Sequence, residues 1–217
     1  MLDLSTAIRT NGSVRAFTDE PVDDATLHAV LDDARFAPSG GNRQPWKIAI
    51  VRDRSLRAQL GALMRPVWDE YVSIGATGST PFSLGAPTTA EPVVVPNGLL
   101  DAIETVPVML AVAADRTRIA LMDGLLERPP ITAGASIYPF CWNLLLAARA
   151  RGLGGVMTTF LSRAEPAAAP LLGLPGDHAL AATIFIGHPV HQPTKLKRAD
   201  VKSFATIDRF DGDSFDV

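Results

Sequence analysis

Cysteine is all but missing from this chain. Cys141 is the only one in 217 residues, which excludes an intramolecular disulfide and a cysteine metal cluster and fits a reducing compartment. A dominant charge is missing too. With 20 Lys+Arg against 23 Asp+Glu the formal net charge is -3, so the overall electrostatics make no case for nucleic acid or an anionic membrane as partner. No apolar run approaches the ~18 residues of a bilayer span, and the first five residues lack the basic-then-apolar order of a secretion signal. Gly-x-Gly-x-x-Gly and the Walker pattern are absent, which leaves Rossmann and P-loop readings unsupported. The histidines (His28, His178, His188 and His191) lack metal-ligand spacing, and the nearness of His188 to His191 around Pro189 reads as chance. No Ser/His/Asp arrangement is visible. The expectation is a soluble, cytoplasmic protein with one domain, 1–217, whose 47% hydrophobic content supports a sizeable core.

Against these absences several elements stand out. Residues 4–9 read as a short helix, followed by the turn signal Asn11-Gly12 and an extended piece in which Val14 alternates with Ser13 and Arg15. Val22, Leu27, Val30, Leu31 and Ala34 recur at helical spacing behind an Asp23 or Asp24 N-cap. Residues 46–51 read as a strand, and Asp53 caps a second helix that Pro66 should end or kink. From about residue 72 to residue 100 the periodicity breaks down among Pro81, Pro87, Pro92 and Pro96, and a segment of that length in a compact domain is functional or disordered. Residues 106–113 form an apolar strand. The longest clear helix is expected over 133–151, with Gly152 as its C′ residue. A strand over 154–160, an alanine-rich helix over 163–172 and a strand over 180–187 follow. The last thirty residues show no periodicity that would bury them within one chain.

One stretch organises the rest. Residues 34–46 join a helix to a strand through Ala37-Pro38-Ser39-Gly40-Gly41-Asn42-Arg43-Gln44-Pro45-Trp46. Two prolines remove amide donors and fix φ, two glycines permit positive φ, and the remaining amides and short polar side chains make a rigid surface suited to a flat, polar-edged ligand. With Ser13-Val14-Arg15-Ala16-Phe17 upstream, Trp142-Asn143-Leu144-Leu145-Leu146-Ala147-Ala148 later and Lys197-Arg198 near the end, about two thirds of the chain resembles the FMN-dependent nitroreductase superfamily. That superfamily also includes flavin-dependent dehalogenases and a flavin-cleaving enzyme.

The resemblance implies an α+β, nitroreductase-like fold: a central, mostly antiparallel sheet flanked by helices, with a C-terminal arm reaching the partner subunit of a homodimer. It implies FMN at the subunit interface, with NAD(P)H as electron donor. For the flavin it supplies the motif positions Asn11, Gly12, Ser13 and Arg15, with Arg15 and Arg198 on the phosphate and Lys197 or Arg9 as a substitute for the missing cation. The first of these departs from the superfamily pattern, which places an arginine where this chain has Asn11. Pro38, Ser39, Asn42 and Gln44 match positions that contact the ring or the ribityl chain, often across the dimer interface. Met157, Thr158 and Thr159 match the loop that faces flavin N5, where a donor tunes reactivity. The segment at about 66–100 resembles the variable, lid-like insertion over the pocket, which makes Trp68, Tyr71 and Phe82 candidate substrate-facing aromatics.

The activity implied is reduction of nitroaromatic, quinone or related small acceptors by NAD(P)H, through ping-pong hydride transfer at flavin N5. Two alternatives stand beside it. Consecutive threonines at 158 and 159 resemble the reductive dehalogenase branch, where one-electron chemistry is favoured. The missing phosphate arginine suits a flavin-binding or storage protein with little turnover.

Overall fold

The computed structural model describes residues 2–216. Its centre is a four-stranded sheet built from β1 (Trp46–Ile50), β2 (Val108–Asp115), β3 (Gly154–Thr158) and β4 (His178–Gly187), in the spatial order β1-β2-β4-β3. Every strand pair among the described residues is antiparallel. The inner strands, β2 and β4, are almost wholly buried and apolar, as strands covered on both faces must be.

Alternation along the strands sends side chains into two separate cores. Val108, Leu110 and Val112 of β2 and Ala182, Ile184 and Ile186 of β4 face one layer. That layer holds α2 (Asp24–Ala34) and α5 (Tyr138–Ala150). Met109 and Ala111 of β2, with Leu180 and Phe185 of β4, face the other. This second layer contains α3 (Arg54–Ala76), α6 (Phe160–Arg163) and α7 (Glu165–Leu172). A bulge opposite Val112 and Ala113 inserts Ala181 as an extra residue, which is why even-numbered Leu180 and odd-numbered Phe185 share a face. Cys141 lies in the first core with no exposure, and burial pushes its thiol up to about 12.

Helix starts follow from local chemistry. The Asp23 carboxylate accepts from the Thr26 amide at 2.7 Å, and the Asp53 carboxylate accepts from the Leu56 amide at 2.7 Å. Two helix bounds differ from the sequence expectation. Pro66 does not end its helix: α3 runs unbroken for 23 residues. Leu60, Met64, Val67 and Ile74 are all buried on its inner face, and that burial outweighs the ~3 kcal/mol cost of an internal proline. The irregular insertion therefore starts at Thr77, and the part of it from 66 to 76 is helix. The helix expected over 133–151 begins at Tyr138 instead. A 3-10 turn, Thr132–Ser136, precedes it, and Pro139 occupies its first turn, where a missing N–H costs nothing.

Two side-chain clamps hold the connections. Arg57, 6% exposed, donates from Nε to the Val51 carbonyl at 2.8 Å and from Nη1 to those of Val106 at 2.6 Å and Glu104 at 3.2 Å. Burial, and secondarily the Arg54 charge, lowers its pKa from the ordinary arginine range. The buried Asp123 carboxylate ties the 116–137 crossing together. It accepts from the Ile131 amide at 2.7 Å, the Thr132 hydroxyl at 2.5 Å and Arg128 Nη1 at 2.7 Å.

Candidate functional site

Two extended segments distant in sequence run side by side at the β3 edge of the sheet. The Thr18 amide donates to the His188 carbonyl at 2.9 Å, the Val190 amide donates to the Ala16 carbonyl at 3.1 Å, and Phe17 pairs with Pro189 in antiparallel register. Gln192 Nε2 donates to the carbonyls of Thr10 and Gly12, each at 3.2 Å. The Val14 amide reaches the Gly155 carbonyl of β3 at 3.0 Å, locking the pair of segments to the sheet. Gly12 is needed here, because a Cβ would stand 2.6 Å from both Pro193 Cβ and the Pro193 carbonyl oxygen.

This ledge forms one wall of a cavity of about 690 Å³. Ser13, Arg15 and His191 line the ledge side, while Met157, Thr158 and Thr159 line the end of β3. Trp68 and Tyr71 of α3 make the aromatic wall, stacked at 6.1 Å with Phe160 edge-on to both. The Trp68 indole N–H is already used, donating to the Val95 carbonyl at 2.8 Å, and the Ser73 hydroxyl accepts from the Val93 amide at 2.9 Å. These bonds pin the 91–97 strap along α3 as the rim. No carboxylate lines the cavity among the described residues, and its basic lining residues are Arg15 and His191. That composition suits an anion attached to a flat, largely apolar body.

The two threonines differ. Thr158 faces the second core opposite Thr183, and its hydroxyl is buried with no hydrogen-bond partner. Thr159 is exposed at the N-cap of α6, and its hydroxyl makes no cap bond. Of the two side chains, the one free to meet a ligand is Thr159.

The other predicted residues lie elsewhere. Phe82 packs against Tyr71 at 6.0 Å with the Arg163 guanidinium 4.1 Å from its ring centre, outside the cavity lining. Asn11 is buried beneath the ledge with its Nδ2 unpartnered. Lys197 and Arg198 are exposed and outside the lining, with Arg198 Nη1 donating to the Lys197 carbonyl at 2.6 Å. Pro38, Ser39, Asn42 and Gln44 precede β1, at the opposite edge of the sheet from β3. Three strand spacings, ~14 Å, separate those edges. The loop is stiff: the Ser39 hydroxyl accepts from the Gln44 amide at 2.9 Å, and Gln44 Nε2 donates to Asn42 Oδ1 at 3.0 Å. Positive φ falls on Gly41, Asn42 and Gln44 (60°, 51° and 49°), not on Gly40 as the sequence suggests.

His191 went unrecognised in the sequence. Its significance depends on pairing between segments more than 170 residues apart, for which no local signal exists.

Comparison with known proteins places this architecture. A model described as "Nitroreductase family" matches residues 8–188. A 5,6-dimethylbenzimidazole synthase of Rhodobacter capsulatus is 31% identical over 189 residues, 86% of this chain and 83% of the relative. An NADH dehydrogenase of Thermus thermophilus is 38% identical over 60 residues, 28% of this chain and 29% of its own. The fold is shared with the Vibrio harveyi NADPH:FMN oxidoreductase solved with NAD+, at TM-score 0.68 and 20% identity over 94% of this chain and 76% of that one. No helix among the described residues is long and apolar enough to cross a membrane.

Proposed function

The chain belongs to the nitroreductase family, and from that premise we propose that it is an FMN-dependent oxidoreductase that takes electrons from NAD(P)H and passes them to a small flat acceptor, such as a nitroaromatic or a quinone. The observation that carries this reading is the carboxylate-free cavity, cationic along the ledge and aromatic along α3. FMN is a phosphate monoester joined through a polyol to a planar ring, and the donor set fits each part. Arg15 and the Ser13 hydroxyl suit the phosphate, while Met157, Thr159 and the stacked Trp68 and Tyr71 suit the ring and whatever lies over it.

When bound, FMN supplies two-electron acceptance and donation at N5, so the protein contributes positioning more than acid–base chemistry. Thr159 offers an unengaged hydroxyl at the end of β3. The aromatic wall excludes water and selects planar partners by stacking. A single cavity of this size serves donor and acceptor in turn, which is the ping-pong order.

The site is completed by a second copy of the chain. Pro38, Ser39, Asn42 and Gln44 lie at the far edge of the sheet from β3 and outside the cavity lining of their own chain. Their stiff loop suits the partner's flavin. The C-terminal segment exposes Phe204, Ile207 and Phe210, apolar surface that a partner would cover.

The test is direct. Flavin-free protein titrated with FMN should quench flavin fluorescence stoichiometrically, and Asn42→Ala with Gln44→Ala should weaken the binding while sedimentation reports a dimer. Protein that binds no FMN sinks the reading.

A further inference from the structure

The bridge of Phe17 with Pro189 and the Val190-to-Ala16 bond hold together the two segments on which Arg15 and His191 each adjoin a paired residue. Both side chains are exposed and line the same carboxylate-free cavity. An imidazole and a guanidinium so placed, with no acid to neutralise either, form a two-pronged receptor for a dianion.

We infer that His191 is the second cation of the phosphate site, and that its protonation couples flavin-nucleotide affinity to pH. This rests on the FMN reading above and assigns the residue that completes it in the cavity. The Arg15 guanidinium supplies a fixed charge, and His191 supplies one that appears only when the ring is protonated. Imidazole is the side chain whose charge ordinarily changes between about pH 5 and pH 8. Affinity for a phosphate dianion therefore falls as pH rises through that range.

The surroundings leave few competitors. Asp19 lines two other cavities, one of which also touches Arg15, and is absent from this lining. Glu20 stands 3.6 Å from His188, on the other side of Pro189. On α3, Glu70 is held by Arg163 and Arg65 is paired with Asp101. Lys195, Lys197 and Arg198 follow on the same segment but do not line the cavity. Guanidinium and ammonium groups keep their charge throughout the window, so they add no pH dependence within it. The phosphate itself titrates near pH 6 and becomes more dianionic on raising pH. By itself that would strengthen binding, so a loss of affinity has to come from the protein.

The experiment is an equilibrium titration of flavin-free protein with FMN and, in parallel, with riboflavin, read by flavin fluorescence at about pH 6.5 and about pH 8.5. No dinucleotide is present, so the phosphate of the flavin is the one being sensed. Wild-type protein should bind FMN more weakly at the higher pH, while riboflavin binding stays level. His191→Gln should weaken FMN binding about tenfold at the lower pH, the worth of one charge-assisted hydrogen bond, and flatten the pH dependence. His191→Lys should restore affinity and keep it flat, whereas His188→Gln should leave the wild-type slope in place. FMN binding that is unchanged in His191→Gln, or a slope that follows His188, overturns the inference and leaves the flavin reading standing. Absence of FMN binding in wild-type protein overturns both.

Discussion

Gly12 and Pro193 touch so closely that a single methyl group on Gly12 would lie 2.6 Å from Pro193 Cβ. The contact binds the two extended segments that carry Arg15 and His191, so the geometry of the proposed anion site depends on a residue that bears no functional group.

Gly12→Ala should therefore loosen FMN without unfolding the protein. The ledge is peripheral to both cores, so the expected change in Tm is small. Flavin affinity should drop about tenfold as the segments part. Equal affinity in variant and wild type would mean that the ledge yields at no cost to the site.

The two threonines at the end of β3 should separate in mutagenesis. Thr158→Val replaces a buried hydroxyl without a partner by a methyl of the same shape, so its stability should be unchanged or raised, by up to about 1 kcal/mol, with a Tm no lower than that of wild type. Thr159→Val removes the free hydroxyl and should slow flavin reduction roughly tenfold or more, in stopped-flow traces at saturating NAD(P)H. Equal effects at both positions would contradict the assignment of Thr159.

Arg57→Met tests the clamp between β1, α3 and the approach to β2. It strips the carbonyls of Val51, Glu104 and Val106 of their donor. The expected loss is about 2–4 kcal/mol, seen as a Tm lower by about 5–10 °C. A wild-type Tm would show that water replaces the guanidinium freely.

Asp123 gives stability a defined pH dependence. The Ile131 amide first, and then the Thr132 hydroxyl, hold its carboxyl well below the usual carboxylate value of 3.8. A depressed folded-state pKa means that the contribution is present in full above the unfolded value and is lost as pH falls below it. The Tm gap between wild type and Asp123→Asn should thus be widest near neutrality and close in acid. A gap that does not change with pH would assign the effect to packing.

Much of the fold was legible because its signals are local. Asp23 and Asp53 cap the helices they precede in sequence, Gly152 takes the positive φ of 78° that ends α5, and the apolar run before it covers the strand-facing core. Pro66 misled because the burial of Met64 and Val67 against distant strands does not register in a helix window. The aromatic pair Trp68 and Tyr71 lines the cavity, carried there by helix that continues past that proline. The proposed anion site was half legible: Ser13 and Arg15 belong to a motif, whereas the role proposed for His191 depends on a segment at the other end of the chain. Lys197 and Arg198, prominent as charges in sequence, stand outside the lining.

The central claim is tested most directly by an anaerobic titration of FMN-loaded protein with NADH and, separately, with NADPH, recorded across the visible flavin bands. Loss of those bands at one equivalent of either donor, and their return on adding a quinone or a nitroaromatic, is the predicted result. Flavin that stays oxidised in the presence of both donors would contradict a nicotinamide-coupled oxidoreductase.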